Sequence, residues 1–323
     1  MQYLAVASAV TGFLLMVIAL IIYFNRPIDT KANNLPGYDY KKIVTVQASE
    51  VPGTSDLVDF PVMIKLTDDD LRTVSNGGYV EHVDGYDIRA ALADGTTLQQ
   101  QMESYNPTTG EVVLWVRVPA LSATSNTDIH LFFGNSSITT DPSSHNTWSG
   151  QYNGVYHFNN SYQDNSGNGF NGTPNNTDPA TGIAAGGVEF DGNNDHVDID
   201  SDLVPDQGAW TISMWVQPNT VANSSLFDIF SDDGGDKYYY VGFSNNELRW
   251  YYEDEDDRDV QISYSTSLTT NWHQIVVIGE WNENSSLLYL DGQLVASSTT
   301  AVNDMFDDAS DIRLGDRNDN YAP

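Results

Sequence analysis

The sequence predicts an all-β protein in which one amino-terminal apolar α-helix precedes two β-sandwich domains in tandem. Three observations predict this class. Residues 4–24 form an uncharged apolar run, and from residue 38 onward short β-type runs alternate with Gly, Asp and Asn turns. The composition, with 40% hydrophobic and 11% aromatic residues, is sufficient for packed cores, and a length of 323 residues fits two domains.

The run LAVASAVTGFLLMVIALIIYF at residues 4–24 has about the length that a helix needs to cross the hydrocarbon core of a bilayer. No basic side chain precedes it and no small-residue cleavage site ends it, unlike a cleaved signal peptide. We therefore expect a retained helix over residues 1–25 and a polar linker over residues 26–37. The helix resembles an archaeal pilin's helix in composition. Two placements remain open, a membrane span or the core of a homo-oligomeric filament.

The sequence pattern of residues 38–137 predicts the first β-sandwich domain. The runs KKIVTVQAS, FPVMIKL, YDIRAAL, GEVVLWVRVP and TDIHLFFG have strand character. The segment TDDDLRTV predicts one helical turn, with Thr67 or Asp68 as its cap. Together these runs resemble the family called domain of unknown function 2341. The resemblance implies a surface protein and carries over no catalytic residue; residues 138–149 predict a second linker.

Residues 150–323 predict the second β domain. WTISMWV alternates Trp210, Ile212 and Met214 with Thr211, Ser213 and Trp215, as a two-sided sheet strand does, and Asp291-Gly292 is a strong hairpin signal. In the order VYHFNNSYQDNSGNGFNGT, GGVEFDGNNDHVDID, WTISMWVQP, NWHQIVVIGEW and SSLLYLDGQLVASS, these segments resemble a concanavalin A-like, laminin-G-type jelly roll.

The jelly-roll resemblance implies two antiparallel sheets packed face to face. Members usually close the sandwich with one further strand after the segment corresponding to IRLGDRN, and residues 150–323 lack that strand. Two interpretations remain open. Either the sequence continues beyond residue 323, or one sheet has an open slot that a neighbouring chain could fill.

The net charge of −32 comes from 45 Asp and Glu against 13 Lys and Arg. Such a surface repels phosphate backbones, so we exclude nucleic acid as a partner. The excess of Asp over Lys predicts a halophilic protein, the alternative being a loop-rich extracellular protein whose Asp residues make turns. The absence of Cys excludes disulfides, thiolate catalysis and Cys-containing metal sites.

The jelly-roll resemblance also implies calcium in the loops at one end, held by carboxylate and amide oxygens. Three turns supply such groups, and the alternative interpretation of each is an Asx-capped hairpin turn. The candidate calcium ligands are Asp164, Asn165, Asn168, Asp191, Asn193, Asp195, Asp316 and Asn318.

Sugar binding needs aromatic faces beside polar groups, and two aromatic runs, at residues 238–240 and 250–252, precede the acidic segment at residues 253–257. We expect Tyr239, Trp250 and Tyr252 to contact a glycan. Glu253 and Glu255 have the spacing of a glycosidase pair, but no apolar residues lie between them to bury and tune the pair. Six sequons predict glycosylation at Asn135, Asn159, Asn171, Asn175, Asn223 and Asn284.

We conclude that the chain is a surface-displayed, non-enzymatic adhesion or recognition protein. It is anchored at the extracellular surface through residues 4–24, and it binds glycans or surface proteins through its second β domain. One alternative is a structural subunit of a pilin-like filament or a virion surface, assembled through the apolar helix. The other alternative is a glycan hydrolase.

Overall fold

The computed structural model describes residues 2–8, 34–148, 150–204, 209–219, 224–231, 238–253, 259–265, 268–280, 285–300 and 309–315. The chain divides into two compact units. The first unit is Val17–Ser149, and the second unit combines Gly150–Pro323 with Met1–Met16. The second unit therefore includes the first strand of the chain, β1 (Gln2–Ser8).

The first unit contains six antiparallel strands and four 3₁₀ turns among its described residues. The strands are β2 (Tyr40–Val46), β3 (Leu57–Thr67), β4 (Arg89–Ala91), β5 (Gln99–Asn106), β6 (Glu111–Leu121) and β7 (Thr127–Phe133). The turns are Ala48–Glu50, Asp69–Leu71, Val74–Asn76 and His145–Thr147. The strands form two three-stranded sheets, ordered β2-β7-β4 and β3-β6-β5. Val44 and Leu131 from one sheet share a core with Ile64 and Leu114 from the other.

The predicted helical turn in TDDDLRTV is present as the 3₁₀ turn Asp69–Leu71. The Asp68 carboxylate caps it by accepting the backbone N–H of Asp70 at 2.9 Å. The buried Lys42 ammonium lies 2.8 Å from the Asp68 carboxylate and 2.7 Å from that of Asp70. This turn is therefore held both by its cap and by a buried ion pair.

The second unit is a β-sandwich. Its other strands are β8 (Tyr152–Tyr156), β9 (Thr173–Asn175), β10 (Asp178–Thr181), β11 (Gly186–Glu189), β12 (His196–Asp200), β13 (Ala209–Val216), β14 (Ser224–Ser231), β15 (Tyr238–Ser244), β16 (Glu247–Glu253), β17 (Asp259–Ser265), β18 (His273–Glu280), β19 (Ser285–Leu290), β20 (Gln293–Ser298) and β21 (Ala309–Leu314). A 3₁₀ turn spans Ser201–Leu203. The six-stranded sheet is ordered β20-β19-β18-β13-β1-β8 and the seven-stranded sheet β17-β16-β15-β14-β21-β12-β9, with β10 and β11 paired separately.

The two large sheets of the second unit share one hydrophobic core. Trp210 and Met214 on β13 meet Phe227 on β14 and Trp250 on β16 in it. Because side chains of a strand alternate between its two faces, the alternating WTISMWV pattern sends Trp210, Ile212 and Met214 inward. The all-β prediction is thus confirmed for both domains.

The hairpin between β19 and β20 turns at Asp291-Gly292, as predicted. Both residues have positive φ, 49° for Asp291 and 77° for Gly292. Two successive residues in the left-handed region are the requirement of a type I′ turn, whose twist matches that of the flanking strands. The Asp291 carboxylate also accepts the backbone N–H of Gln274 at 2.9 Å, which ties the turn to β18.

The amino-terminal helix expected over residues 1–25 is not present where the structure describes that segment. Gln2–Ser8 is a strand, and residues 9–33 lie outside the described residues. The length of the whole run favours a helix, but the seven-residue segment Gln2–Ser8 is short enough to suit a buried strand equally well. Within the described part of the chain, no helix combines the length and apolar character that crossing a bilayer requires.

Candidate functional site

A pocket of about 280 Å³ opens at one end of the second unit's sandwich. It lies where β13 ends and β14 begins, beside the turn that follows β11 and the residue that follows β21. The buried side chains of Val216, Leu226 and Phe243 form its apolar floor. Its rim is polar and carries Glu189 and Asp191 among other side chains.

One wall of the pocket is fixed by the pairing of β14 with β15. The Tyr240 hydroxyl donates to the carbonyl oxygens of Ser224 at 3.1 Å and Phe243 at 2.8 Å. The register shifts between Ser225 and Phe227, where β14 has an extra residue. Such a bulge bends the strand and redirects its side chains, and it is common beside binding sites. Ser225 Oγ also donates to the carboxylate of Asp228.

Another part of the pocket lining depends on the close approach of Phe190 to Gly315. Gly315 has a φ of 93°, a conformation that L side chains rarely adopt, and a Cβ there would overlap the Phe190 ring. Glycine therefore allows the segment after β21 to pass against Phe190 at the pocket.

The rim of the pocket is acidic and amide-rich. The Asp191 carboxylate accepts the side-chain amide of Asn193 at 3.0 Å and its backbone N–H at 2.8 Å. These hydrogen bonds lower the pKa of Asp191, so it is ionised at neutral pH. Gln217 donates to the carbonyl oxygen of Thr270 at 2.9 Å, which fixes its amide. None of the pocket-lining residues in the described part of the chain is Lys or Arg.

Asp164, the leading calcium candidate, is buried and acts as an acceptor for the protein itself. One carboxylate oxygen accepts the backbone N–H groups of Val155 at 3.0 Å and Ser166 at 2.8 Å. The other accepts Ser166 Oγ at 2.7 Å and the backbone N–H of Gly169 at 3.1 Å. Because four donors occupy its lone pairs, this carboxylate does not fit a calcium ligand in this arrangement.

The neighbouring amides hold the same loop together. The Asn165 side chain donates to the carbonyl oxygen of Val155 at 3.3 Å, and the Asn168 side chain donates to those of Tyr152 and Asn153, each at 3.0 Å. Their amide nitrogens therefore face carbonyl oxygens of β8. The loop is an Asx-rich turn tied to this strand.

The second calcium candidate is the turn beside the pocket. The Asp195 carboxylate accepts the backbone N–H of Asp191 at 2.9 Å, and Asn193 bonds to Asp191 as described. Asp316 and Asn318 lie outside the described residues. The residues that the structure describes contain no group of three or more His, Asp or Glu side chains placed to hold a metal ion. Asp191, Asn193 and Asp195 do meet in one turn, and calcium binding there stays a prediction.

The three aromatic residues expected to contact a glycan lie in the sandwich core. Tyr239, Trp250 and Tyr252 are at most 2% exposed. Their rings pack on one another, with centroids 6.0 Å apart for Tyr239 and Trp250 and 5.6 Å apart for Trp250 and Tyr252. Burial raises the pKa of Tyr239 well above its ordinary value. Buried ring faces are closed to a sugar, so this expectation is corrected to a core role.

The side chains of the possible glycosidase pair, Glu253 and Glu255, lie outside what the structure describes. Glu253 is the last residue of β16, and Glu255 lies outside the described residues. Of the predicted glycosylation sites, Asn223 and Asn284 also lie outside. Asn171 is exposed, and Asn159 and Asn175 are half-buried. Asn135 is buried, and its side-chain oxygen accepts Ser137 Oγ at 2.6 Å, so its amide is poorly placed for a glycan.

Sequence reasoning identified the turn at Asp191 but missed the rest of the pocket, including Gln217, Asn219 and Ser224. The available signal was the polar run QPN directly after the apolar strand WTISMWV, which marks the strand end at the sandwich rim. Nothing local to that run indicates that Glu189 and Gly315 lie beside it, because these residues meet only through the sheet order.

Two family models match the chain in the order that the sequence predicts. The model described as concanavalin A-like lectin/glucanases superfamily matches residues 191–323. The model described as domain of unknown function (DUF2341) matches residues 84–171. Both predicted resemblances are therefore confirmed, although the second match extends past residue 149 into the second unit.

The chain is similar to several solved structures of binding domains. The binding domain of Paraclostridial Mosquitocidal Protein 1 is 17% identical, with 52% of this chain and 44% of that chain covered and a TM-score of 0.42. The receptor binding domain of botulinum neurotoxin C/D mosaic serotype is 15% identical, with 48% and 41% covered and a TM-score of 0.38. This chain thus spans less than half the length of these two structures.

A third similar structure is domain 4 of AbnA, a GH43 extracellular arabinanase from Geobacillus stearothermophilus, in complex with arabinotriose. It is 16% identical, with 50% of this chain and 80% of that domain covered and a TM-score of 0.39. No curated protein matches the chain.

Proposed function

We propose that the second unit is a non-catalytic carbohydrate-recognition domain and that its ligand binds in the pocket at the end of the sandwich. One observation carries the proposal: an apolar floor of Val216, Leu226 and Phe243 lies beneath a rim of carboxylates and amides. Sugars present apolar ring faces and hydroxyl donors together, and this pocket offers a surface for each. The superfamily match over residues 191–323 supports the same ligand class.

The electrostatics of the rim select for uncharged glycans. Glu189 and Asp191 accept hydrogen bonds from hydroxyl groups, whereas the described lining residues provide no cation for a carboxylate or sulfate. The chain as a whole carries −32 charges, which adds repulsion against an anionic ligand. Neutral or amino sugars are therefore the proposed ligands, in preference to sialylated or sulfated ones.

Display at the extracellular surface belongs to the same proposal. The acidic, cysteine-free composition fits an exposed, saline setting, in which ions screen the repulsion between carboxylates. Calcium remains a proposal for the turn that contains Asp191, Asn193 and Asp195. No step of the proposed recognition depends on it.

A glycan array probed with the full-length protein tests this function. Half of the array carries neutral and amino-sugar oligosaccharides, and the other half carries sialylated and sulfated ones of matched size. We expect binding confined to the first half and unchanged by a calcium chelator. Binding confined to the anionic half, or to no glycan on the array, contradicts the proposal.

A further inference from the structure

The amino-terminal strand β1 lies inside the six-stranded sheet, between β13 and β8. Its register with β13 runs from Gln2 opposite Val216 to Ser8 opposite Trp210. On its other edge, Ala5 pairs with Val155 of β8. β1 therefore forms backbone ladders on both of its edges.

β1 is distant along the chain from both of its sheet partners, β8 and β13. β18, β19 and β20 follow one another along the chain, and the last two are joined by the Asp291-Gly292 turn. Between β1 and β8, by contrast, lie residues 9–33 and the strands of the first unit. No local turn places β1 in its position.

β1 fills the gap between β8 and β13, which we call the groove. Without β1, the N–H and C=O groups on the facing edges of both strands would lose their ladder partners in the middle of a sheet. With β1 in place, Ile212 and Ser213 on β13 and Val155 on β8 are at most 5% exposed, so β1 completes the burial of the strands on both of its sides. Unpaired backbone groups at such a position are costly, so the groove strongly favours an extended segment.

Neither β1 nor the two strands that border the groove contain a charged side chain, although the chain has a net charge of −32. β1 has the sequence QYLAVAS, and the strands that border the groove are YNGVY and AWTISMWV. Two copies of the chain repel each other over most of their surface, but the segments that would meet here contribute no like charges. This is the property expected of a contact between copies.

We propose that the groove is a strand-acceptor site and that Gln2–Ser8 of one copy completes the six-stranded sheet of another copy. The same backbone ladder forms whether β1 comes from its own chain or from a neighbouring chain. Exchange of the strand between chains therefore loses none of the ladder's hydrogen bonds. A stretch as long as residues 9–33 reaches at most about 90 Å when extended, which allows β1 to leave its own unit. Because the donor strand and the acceptor groove are different surfaces, exchange links chains head to tail.

Cysteine pairing in the full-length chain tests this exchange, because the natural sequence contains no Cys. Ala5→Cys and Ser213→Cys are made in separate chains, since these positions lie directly opposite each other in the register. The two variants are unfolded together in denaturant, refolded as a mixture and oxidised. Mass spectrometry then identifies the peptides that each disulfide joins. We expect a dimer joined by a disulfide between residues 5 and 213.

The control replaces Ser213→Cys with Ser297→Cys, an exposed position on β20 at the far edge of the same sheet. It measures collisional cross-linking and should give at least tenfold less mixed dimer. Ala5→Cys with Val155→Cys on β8 is a second pair, in case one variant fails to fold.

Two results overturn the proposal. If the double variant Ala5→Cys/Ser213→Cys forms its disulfide only within one chain and the mixed variants form none, then β1 stays in its own unit. If neither arrangement gives a disulfide for either pair, then the groove is not occupied by Gln2–Ser8. Neither result depends on whether the protein binds glycans.

Discussion

The carboxylate of Asp164 accepts the backbone N–H of Val155 at 3.0 Å and thereby ties the loop after β8 back to that strand. Three further donors, from Ser166 and Gly169, complete the coordination of this buried carboxylate. An aspartate in an Asp- and Asn-rich loop of a lectin-like domain suggests calcium from sequence. The four hydrogen bonds to Asp164 instead indicate a structural role, in which this carboxylate holds the loop to β8.

Asp164→Asn is expected to lower the free energy of unfolding by about 1–3 kcal/mol. The amide presents an NH₂ group to backbone N–H donors and leaves at least one buried donor unsatisfied. Urea denaturation followed by circular dichroism measures the change, with Asp178→Asn at an exposed position as the control. The loss should be the same with and without a chelator. A loss seen only when calcium is present would assign Asp164 to a metal site instead.

His130 on β7 makes the first unit sensitive to acid. Burial lowers the pKa of His130, the nearby Lys41 lowers it further, and Asp128 opposes both. Nδ1 of His130 is buried without a hydrogen-bond partner in the described structure. Because the folded pKa is below the ordinary value of about 6.5, the neutral ring is preferred in the folded state. Its contribution is fully present above pH 6.5 and is lost as the pH falls through the folded pKa.

His130→Gln should therefore lose less stability than the natural chain between pH 7.5 and pH 5. Unfolding free energies measured at several pH values give the two slopes. The difference between variant and natural chain cancels the titration of the many carboxylates. His145→Gln, at an exposed position of the same unit, is the control and should leave the slope unchanged. Equal slopes for His130→Gln and the natural chain would contradict this account.

Substitution of Trp250 tests whether this residue packs in the core or stacks on a ligand. It is fully buried, and its ring packs against Trp210 from the facing sheet with centroids 5.6 Å apart. Trp250→Ala should lower the free energy of unfolding by about 3–5 kcal/mol, because it removes a large buried side chain and leaves a cavity.

The neighbouring Tyr251 is only half-buried and serves as the control. Tyr251→Ala should cost clearly less stability than Trp250→Ala in the same denaturation experiment. If Trp250→Ala unfolds like the natural chain but loses glycan binding, the core assignment is wrong.

The fold could be predicted from sequence where local pattern and tertiary environment agree. WTISMWV alternates because one face of β13 meets the core, and Asp291-Gly292 turns because two positive φ angles suit Asp and Gly. The run at residues 4–24 is different. Its length favours a helix, and only the position between β8 and β13 selects the strand for Gln2–Ser8.

The candidate site was less predictable. Alternation shows that half of the residues in YYY and WYY face inward, but it does not show which half. The expectation that Tyr239, Trp250 and Tyr252 face a ligand is therefore wrong, because all three are buried. The pocket joins segments far apart in the chain, from Glu189 to Gly315, and its walls depend on a bulge in β14. These relationships arise from sheet order and register, which the sequence does not display locally.

Titration calorimetry with the strongest neutral ligand from the array tests the central claim most directly. Ser224 is exposed at the pocket mouth, so Ser224→Trp should obstruct the pocket without disturbing the core. Ser297→Trp makes the same change at an exposed position on β20 of the same unit. The account predicts at least a tenfold loss of affinity, about 1.4 kcal/mol, for Ser224→Trp and no change for Ser297→Trp. Equal affinity of both variants and the natural chain would contradict glycan recognition in this pocket.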